Sequence, residues 1–226
     1  MIDPKFQAIV FDLDGTLADT AADIREALVQ ALASEGLPPI DVASTRLMIG
    51  GGPRLLVVRA LERLCVNDDD DLVSRLTDRF HAEYLAQGNQ LSRLYDGVSE
   101  ALGRLKSAGL KIGVCSNKPD DLCRLLVESC DLLDKVDVVL GSGSGLPGKP
   151  DPAPLLRVIE KLGVTPETTL YVGDSETDVK TARAADVPVV LVSYGYTVRR
   201  ASQLGADAVI DSVLELAPPR PLAQSA

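Results

Sequence analysis

The stretch Ala8-Ile9-Val10-Phe11-Asp12-Leu13-Asp14-Gly15-Thr16 runs four apolar residues straight into two carboxylates. A short apolar run without alternation is the pattern of a strand covered on both faces, as in a parallel sheet. Two carboxylates at the end of such a strand are costly unless a cation or a proton relieves them. An ordinary polar turn at Asp14-Gly15 is the alternative reading.

Outward from Gln7–Phe11, similar runs lie at Lys111–Cys115, Val136–Leu140, Leu170–Val172, Val187–Val192 and Asp207–Ile210. Helical spacing of apolar residues marks Gly97–Ala108, Pro119–Cys130 and Pro152–Leu162, with proline at the first helical position expected of Pro119. Strand and helix alternate from Lys111 onward, which predicts right-handed βαβ units. The interval after the first strand differs. Thr20–Glu35, Pro53–Cys65 and Asp70–Ala86 are helical in period, separated by Gly36–Pro39 and Gly50–Pro53. The fold class is therefore α/β, a Rossmann-like parallel sheet core with an inserted α-helical subdomain. Residues 1–18 and 89–226 form the expected core and residues 19–88 the insertion. Residues 217–226, with three prolines, are an expected flexible tail.

Composition narrows the function classes. The 226 residues are 46% apolar and 25% charged, the range of a globular protein of one or two domains. A net charge of −10 disfavours nucleic acid and anionic lipid as partners, because both need a basic face. No apolar run approaches the roughly 18 residues of a membrane span. The start Met1-Ile2-Asp3-Pro4-Lys5 lacks signal-peptide character. Cys65, Cys115, Cys123 and Cys130 form no C-x-x-C pair and read as free thiols, so a cytoplasmic location is expected. The single histidine, His81, is expected as a helix-surface or partly buried structural residue and leaves little room for a His-rich zinc site or a Ser-His-Asp triad.

Chemistry must then run on carboxylates, Lys, Ser and Asn, and three further motifs supply them. Ser116-Asn117-Lys118-Pro119 follows a predicted strand; Ser116 and Asn117 can donate to an anion, or Asn117 can cap the next helix. Gly143-x-x-x-x-Gly148-Lys149 imitates a nucleotide P-loop, yet Pro150 stands where that motif needs a metal-binding hydroxyl. Lys149 is read instead as the cation of an anion site, with a solvated lysine as the plain alternative. Gly173-Asp174-Ser175-Glu176-Thr177-Asp178 follows another strand. Asp178 has the spacing of a capping box, whereas Asp174 precedes the cap and reads as a metal ligand. All four motifs fall at the carboxyl ends of predicted parallel strands, the edge where open α/β sheets bind ligands.

Asp12-x-Asp14-Gly15-Thr16, Ser116-Asn117, Lys149 and Gly173-Asp174-x-x-x-Asp178, in this order over nearly the whole chain, resemble the haloacid dehalogenase-like phosphohydrolase superfamily. The helical interval is similar to the α-helical cap of some members. Arg46–Gly52, Ser116–Pro119, Lys149–Leu156, Leu170–Ala185 and Tyr194-Gly195-Tyr196 followed by Gly205–Asp211 most resemble members that hydrolyse 2-phosphoglycolate to glycolate and phosphate; the run from Gly141 to Lys149 departs from them. The resemblance implies a Mg²⁺-dependent phosphomonoester hydrolase acting on a small phosphorylated metabolite, as monomer or homodimer. It implies Asp12 as nucleophile, Asp14 as acid and base, and Mg²⁺ on the Asp12 carboxylate, the Asp14 carbonyl and Asp174. Asp178 would support that shell or hold Lys149. Ser116, Asn117 and Lys149 would bind phosphoryl oxygens, with Thr16 orienting Asp14 and Arg46, or Arg54, reading a substrate carboxylate. A phosphatase or mutase for a sugar phosphate and a non-enzymatic phospho-acceptor module are the competing readings.

Overall fold

The computed structural model describes residues 3–143 and 145–219. The chain begins with β1 (Ala8–Phe11) and the two-residue β2 (Ala18–Asp19). Four helices follow, α1 (Ala21–Ser34), α2 (Val42–Arg46), α3 (Pro53–Arg63) and α4 (Asp70–Gln87), then the two-residue β3 (Arg93–Leu94). Alternation then sets in with α5 (Val98–Ser107), β4 (Lys111–Pro119), α6 (Asp120–Ser129), β5 (Val138–Ser142), α7 (Ala153–Leu162) and β6 (Thr169–Gly173). It ends with α8 (Glu176–Ala184), β7 (Val189–Val192) and β8 (Ala208–Ile210).

Six strands pair in parallel in the order β5-β4-β1-β6-β7-β8. β1 is central, with Ala8 opposite Lys111 on one side and Thr169 on the other, so the carboxyl ends of β1, β4 and β6 lie side by side. The chain reverses direction across the sheet at β1, the kind of switch point where α/β sheets open a crevice. Successive side chains of a strand face opposite ways. Ile9 and Phe11 accordingly pack in one core layer with Leu102, Leu105 and Leu126, and Ala8 and Val10 in the other with Val158, Tyr171 and Val179. All four residues of β1 are fully buried, which explains its unbroken apolar sequence.

The insertion has its own core. Ile24, Leu28 and Leu32 of α1 meet Leu56 and Leu61 of α3 and Leu76, Phe80 and Tyr84 of α4. Leu122 of α6 completes this cluster from the sheet side. Asp69 caps α4 by accepting from Leu72 N at 2.9 Å, and the acidic Asp70 and Asp71 in its first turn suit the helix dipole.

Several boundaries differ from the sequence expectation. β5 starts at Val138 rather than Val136, because Asp137 is engaged by Ile112 through both main chain (2.8 Å) and carboxylate (2.8 Å). β4 runs on to Pro119 through a register shift, so Pro119 ends a strand and caps α6 instead of opening that helix. β2 pairs antiparallel with β3 at the base of the insertion, and α2 was unforeseen as well. At the other end Ala217 is buried in the core and the Pro218 carbonyl accepts from Arg104; residues 220–226 of the expected tail lie outside the described residues. No helix among the described residues is long and apolar enough to cross a membrane. The four cysteines are free, and His81 lies on α4, 2.8 Å from Asp121 of α6.

Candidate active site

Asp12 follows β1 directly, and its N–H extends the sheet by donating to Val172 O at 2.8 Å. The chain then turns tightly: the amides of Thr16, Leu17 and Ala18 all donate to Leu13 O. Gly15, at φ +88°, makes the turn, and a Cβ there would stand 2.6 Å from Asp174 Oδ2. The Asp14-Gly15 turn and the charged site are thus one object. The glycine is needed both for its left-handed backbone and to let Asp174 approach.

Asp12, Asp174 and Asp178 bring one carboxylate oxygen each within 4.8 Å of one another, all buried. Lys149 stands among them. Its Nζ lies 2.9 Å from Asp12 Oδ1, as an ion pair without hydrogen-bond alignment, and donates to Asp178 Oδ1 at 2.7 Å and Tyr171 OH at 2.9 Å. Asp178 also closes the capping box of α8 by accepting from Ser175 N and Oγ. One side chain thus stands both at the helix cap and against Lys149. Asp174 accepts from Tyr196 N at 2.7 Å.

The electrostatics follow from burial. The Asp12 carboxyl is pushed up to about 6, by burial first and by Asp178 and Asp14, against the pull of Lys149. Burial, then Asp178 and Asp12, push Asp174 well above the usual carboxylate range. Asp178 falls below that range, because Lys149, Ser175 and Tyr171 outweigh its burial. One lysine thus relieves one carboxylate of three and leaves the other two short of positive charge. A divalent cation among oxygen ligands is the group that such a donor set fits.

Around this centre the structure sorts the expected residues. Ser116 is buried on the extension of β4, its Oγ accepting from Lys118 N at 3.3 Å. Asn117 serves the backbone: it accepts from Lys149 N at 2.7 Å, donates to Lys149 O at 2.9 Å, and reaches Gly50 O of the insertion at 3.1 Å. Thr16 does not orient Asp14. Its hydroxyl is buried with no partner among the described residues, while Thr20 Oγ1 donates to Asp14 at 2.6 Å. Arg46 turns to Asp19, with its guanidinium 5.5 Å from the Tyr196 ring centroid, and Arg54 pairs with the exposed Asp70.

Two residues went unassigned in the sequence. Lys118 is buried, donating to Asp14 Oδ1 at 3.2 Å and Tyr84 OH at 3.0 Å. Burial alone would lower its ammonium's pKa, but Asp14 and Tyr84 carry it above the usual value, so it is charged. Tyr196 takes over the cap of α1. Thr20 stands at that helix's N-cap with its hydroxyl committed to Asp14, and Tyr196 OH accepts from Thr20 N at 2.7 Å and Ala21 N at 3.1 Å instead. Tyr194-Gly195-Tyr196 enters the sequence reading only through the resemblance, with no role given to Tyr196, and Gly195 packs directly on Asp174.

A buried carboxylate beside a lysine at a sheet switch point, with a second carboxylate next to it, is suited to nucleophilic displacement on an anionic ester. The family model of haloacid dehalogenase-like hydrolases matches residues 9–192. The chain is 41% identical over 214 residues to the phosphoglycolate phosphatase of Rhodospirillum rubrum, covering 93% of this chain and 89% of that one. It is 39% identical to the phosphoglycolate phosphatase of Caulobacter vibrioides, covering 92% and 88%. A crystal structure from Haemophilus somnus, described as a predicted phosphoglycolate phosphatase, superposes with a TM-score of 0.87 at 30% identity, covering 94% and 96%. The chain belongs to the haloacid dehalogenase-like hydrolase family and is an enzyme of the phosphatase class.

Proposed function

We propose that this phosphatase hydrolyses 2-phosphoglycolate to glycolate and phosphate through an aspartyl-phosphate on Asp12, with Mg²⁺ as its metal. The observation that carries the reading is the placement of Asp12: ion-paired to Lys149, within the carboxylate cluster, and lining one chamber with Asp14 and Ser116. The names of the relatives, matched over nearly their whole lengths, support the substrate.

Mg²⁺ would sit on Asp12, the Asp14 carbonyl and Asp174, and when bound it supplies charge neutralisation for the transferring oxygens. Asp12 attacks phosphorus as the ester P–O bond breaks, and Asp14 gives its proton to the departing alkoxide. Water then attacks the aspartyl-phosphate, Asp14 takes the proton from that water, and the Asp12 carboxylate departs. Lys149 and Ser116 hold the phosphoryl oxygens, where negative charge spreads in the transition state. Asp178 and Tyr171 hold Lys149, and Asn117 fixes its backbone. Thr20 orients Asp14. Residues 1–18 and 89–226 act as the catalytic core and residues 19–88 as a helical cap that covers the chamber and excludes water.

Phosphate release from a panel of monoesters with Mg²⁺ tests the reading. A kcat/KM for 2-phosphoglycolate at least about tenfold above glucose phosphates is expected. Equal or better turnover of the sugar phosphates would overturn the substrate.

A further inference from the structure

The chamber beside Asp12 has two unlike halves. Ile24, Ile49, Leu56, Phe80 and Leu122 give it apolar walls, and Lys118 is the only cationic side chain among its described lining residues. Lys118 is held from both sides of the molecule, by Asp14 of the sheet edge and by Tyr84 of α4, whose ring centroid is 4.2 Å from Nζ. These two hydrogen bonds use two of the ammonium's three protons. Lys149 differs, because Asp12, Asp178 and Tyr171 surround it on three sides.

We infer that Lys118 is the substrate-binding residue that reads the leaving group's carboxylate. Asp14 serves the ester oxygen that departs, and in 2-phosphoglycolate one methylene separates that oxygen from the carboxyl carbon. The cation that reads this carboxylate must therefore stand next to Asp14, and Lys118 does so at 3.2 Å. Arg46, committed to Asp19, does not line this chamber. Apolar walls strengthen a charge-assisted hydrogen bond by keeping water away. The same walls leave the hydroxyls of a sugar without partners. The site thereby selects a short acid phosphate over a sugar phosphate.

The inference rests on the phosphoglycolate reading, so the test uses a ratio that separates the two. kcat/KM is measured for 2-phosphoglycolate and for ethyl phosphate, which lacks the carboxylate. In the wild type the acid is preferred; a ratio near one overturns the substrate reading itself. In Lys118→Met the ratio is expected to fall by about a hundredfold, mostly through KM. Lys118→Arg, which keeps a cation, is expected to keep more of the preference. A wild-type preference that persists unchanged in Lys118→Met overturns the inference and leaves the substrate standing. If Lys118→Met does not fold, the same ratio is read in Lys118→Gln, whose amide can still bond Asp14 and Tyr84. There too an unchanged ratio overturns the assignment and a collapsed ratio supports it.

Discussion

The two buried lysines sit in different kinds of surroundings. Lys149 has partners from the sheet core alone, Asp12, Tyr171 and Asp178, and its backbone is pinned by Asn117. Lys118 bridges the sheet edge and the insertion through Asp14 and Tyr84. On the proposed reading, the phosphate end of the site is built within the sheet layer alone, whereas the leaving-group end also needs a helix of the insertion. A cation that must meet the same phosphoryl group in every substrate belongs in the fixed part. A cation that reads the variable part of the substrate belongs where a second element can help shape it.

The sharpest way to break this contrast is at Asp12. Asp12→Asn is expected to lower turnover at least about ten-thousandfold while circular dichroism remains that of the wild type. The same variant tests the electrostatics. In the metal-free wild type Asp12 holds its proton up to about 6, above its ordinary value of 3.8. Between those values the folded state binds more protons than the unfolded one, so this group makes stability fall as pH rises through that window. Thermal denaturation in chelator should show Asp12→Asn gaining on the wild type between the two pH values, by on the order of 3 kcal/mol. A gap that stays constant with pH would contradict the buried, cation-poor description of Asp12.

Lys149→Met should cost about a thousandfold in kcat and also destabilise the protein by about 3 kcal/mol, because Asp178 and Asp12 lose their buried counter-charge. Paired kinetics and urea denaturation check both parts. Tyr84→Phe acts on the other lysine and should raise KM for 2-phosphoglycolate by about fivefold with kcat nearly unchanged. A kcat effect as large as the KM effect would place Tyr84 in the chemistry and erase the distinction drawn above. Arg46→Ala is the smallest: its pair with Asp19 is partly exposed, and kcat/KM should change by less than about threefold. A larger loss in steady-state kinetics would restore Arg46 as a reader of the substrate.

Much of the fold and site could be read from the sequence because strand ends are local signals. The apolar run into Asp12, the run into Gly173-Asp174 and the stretch after Cys115 each announce a strand and its mouth within a few residues. Lys118 was hidden for the opposite reason. Its partners lie 104 and 34 residues away, so nothing nearby distinguishes it from a solvated lysine before a proline. Thr16 drew attention by its place in the motif, yet the turn at Gly15 carries the chain round so that Thr20 meets Asp14. The two-residue β2 and β3 are too short to show any period, and only their pairing across the insertion reveals them.

Tyr196 carries one more consequence. Its hydroxyl accepts two amides at the start of α1 and donates to Asp19 at 2.8 Å, while its own N–H is on Asp174. By taking over the cap, it frees Thr20 for Asp14. With Leu122 also lent from α6, the four inserted helices are not a transplantable module: cut out at residues 19 and 88, they would lose a hydrophobic partner and the hydroxyl that accepts from the Thr20 and Ala21 amides. Exchanging caps between relatives would thus require carrying residues 122 and 196 along with the loop, though both lie far outside it in sequence.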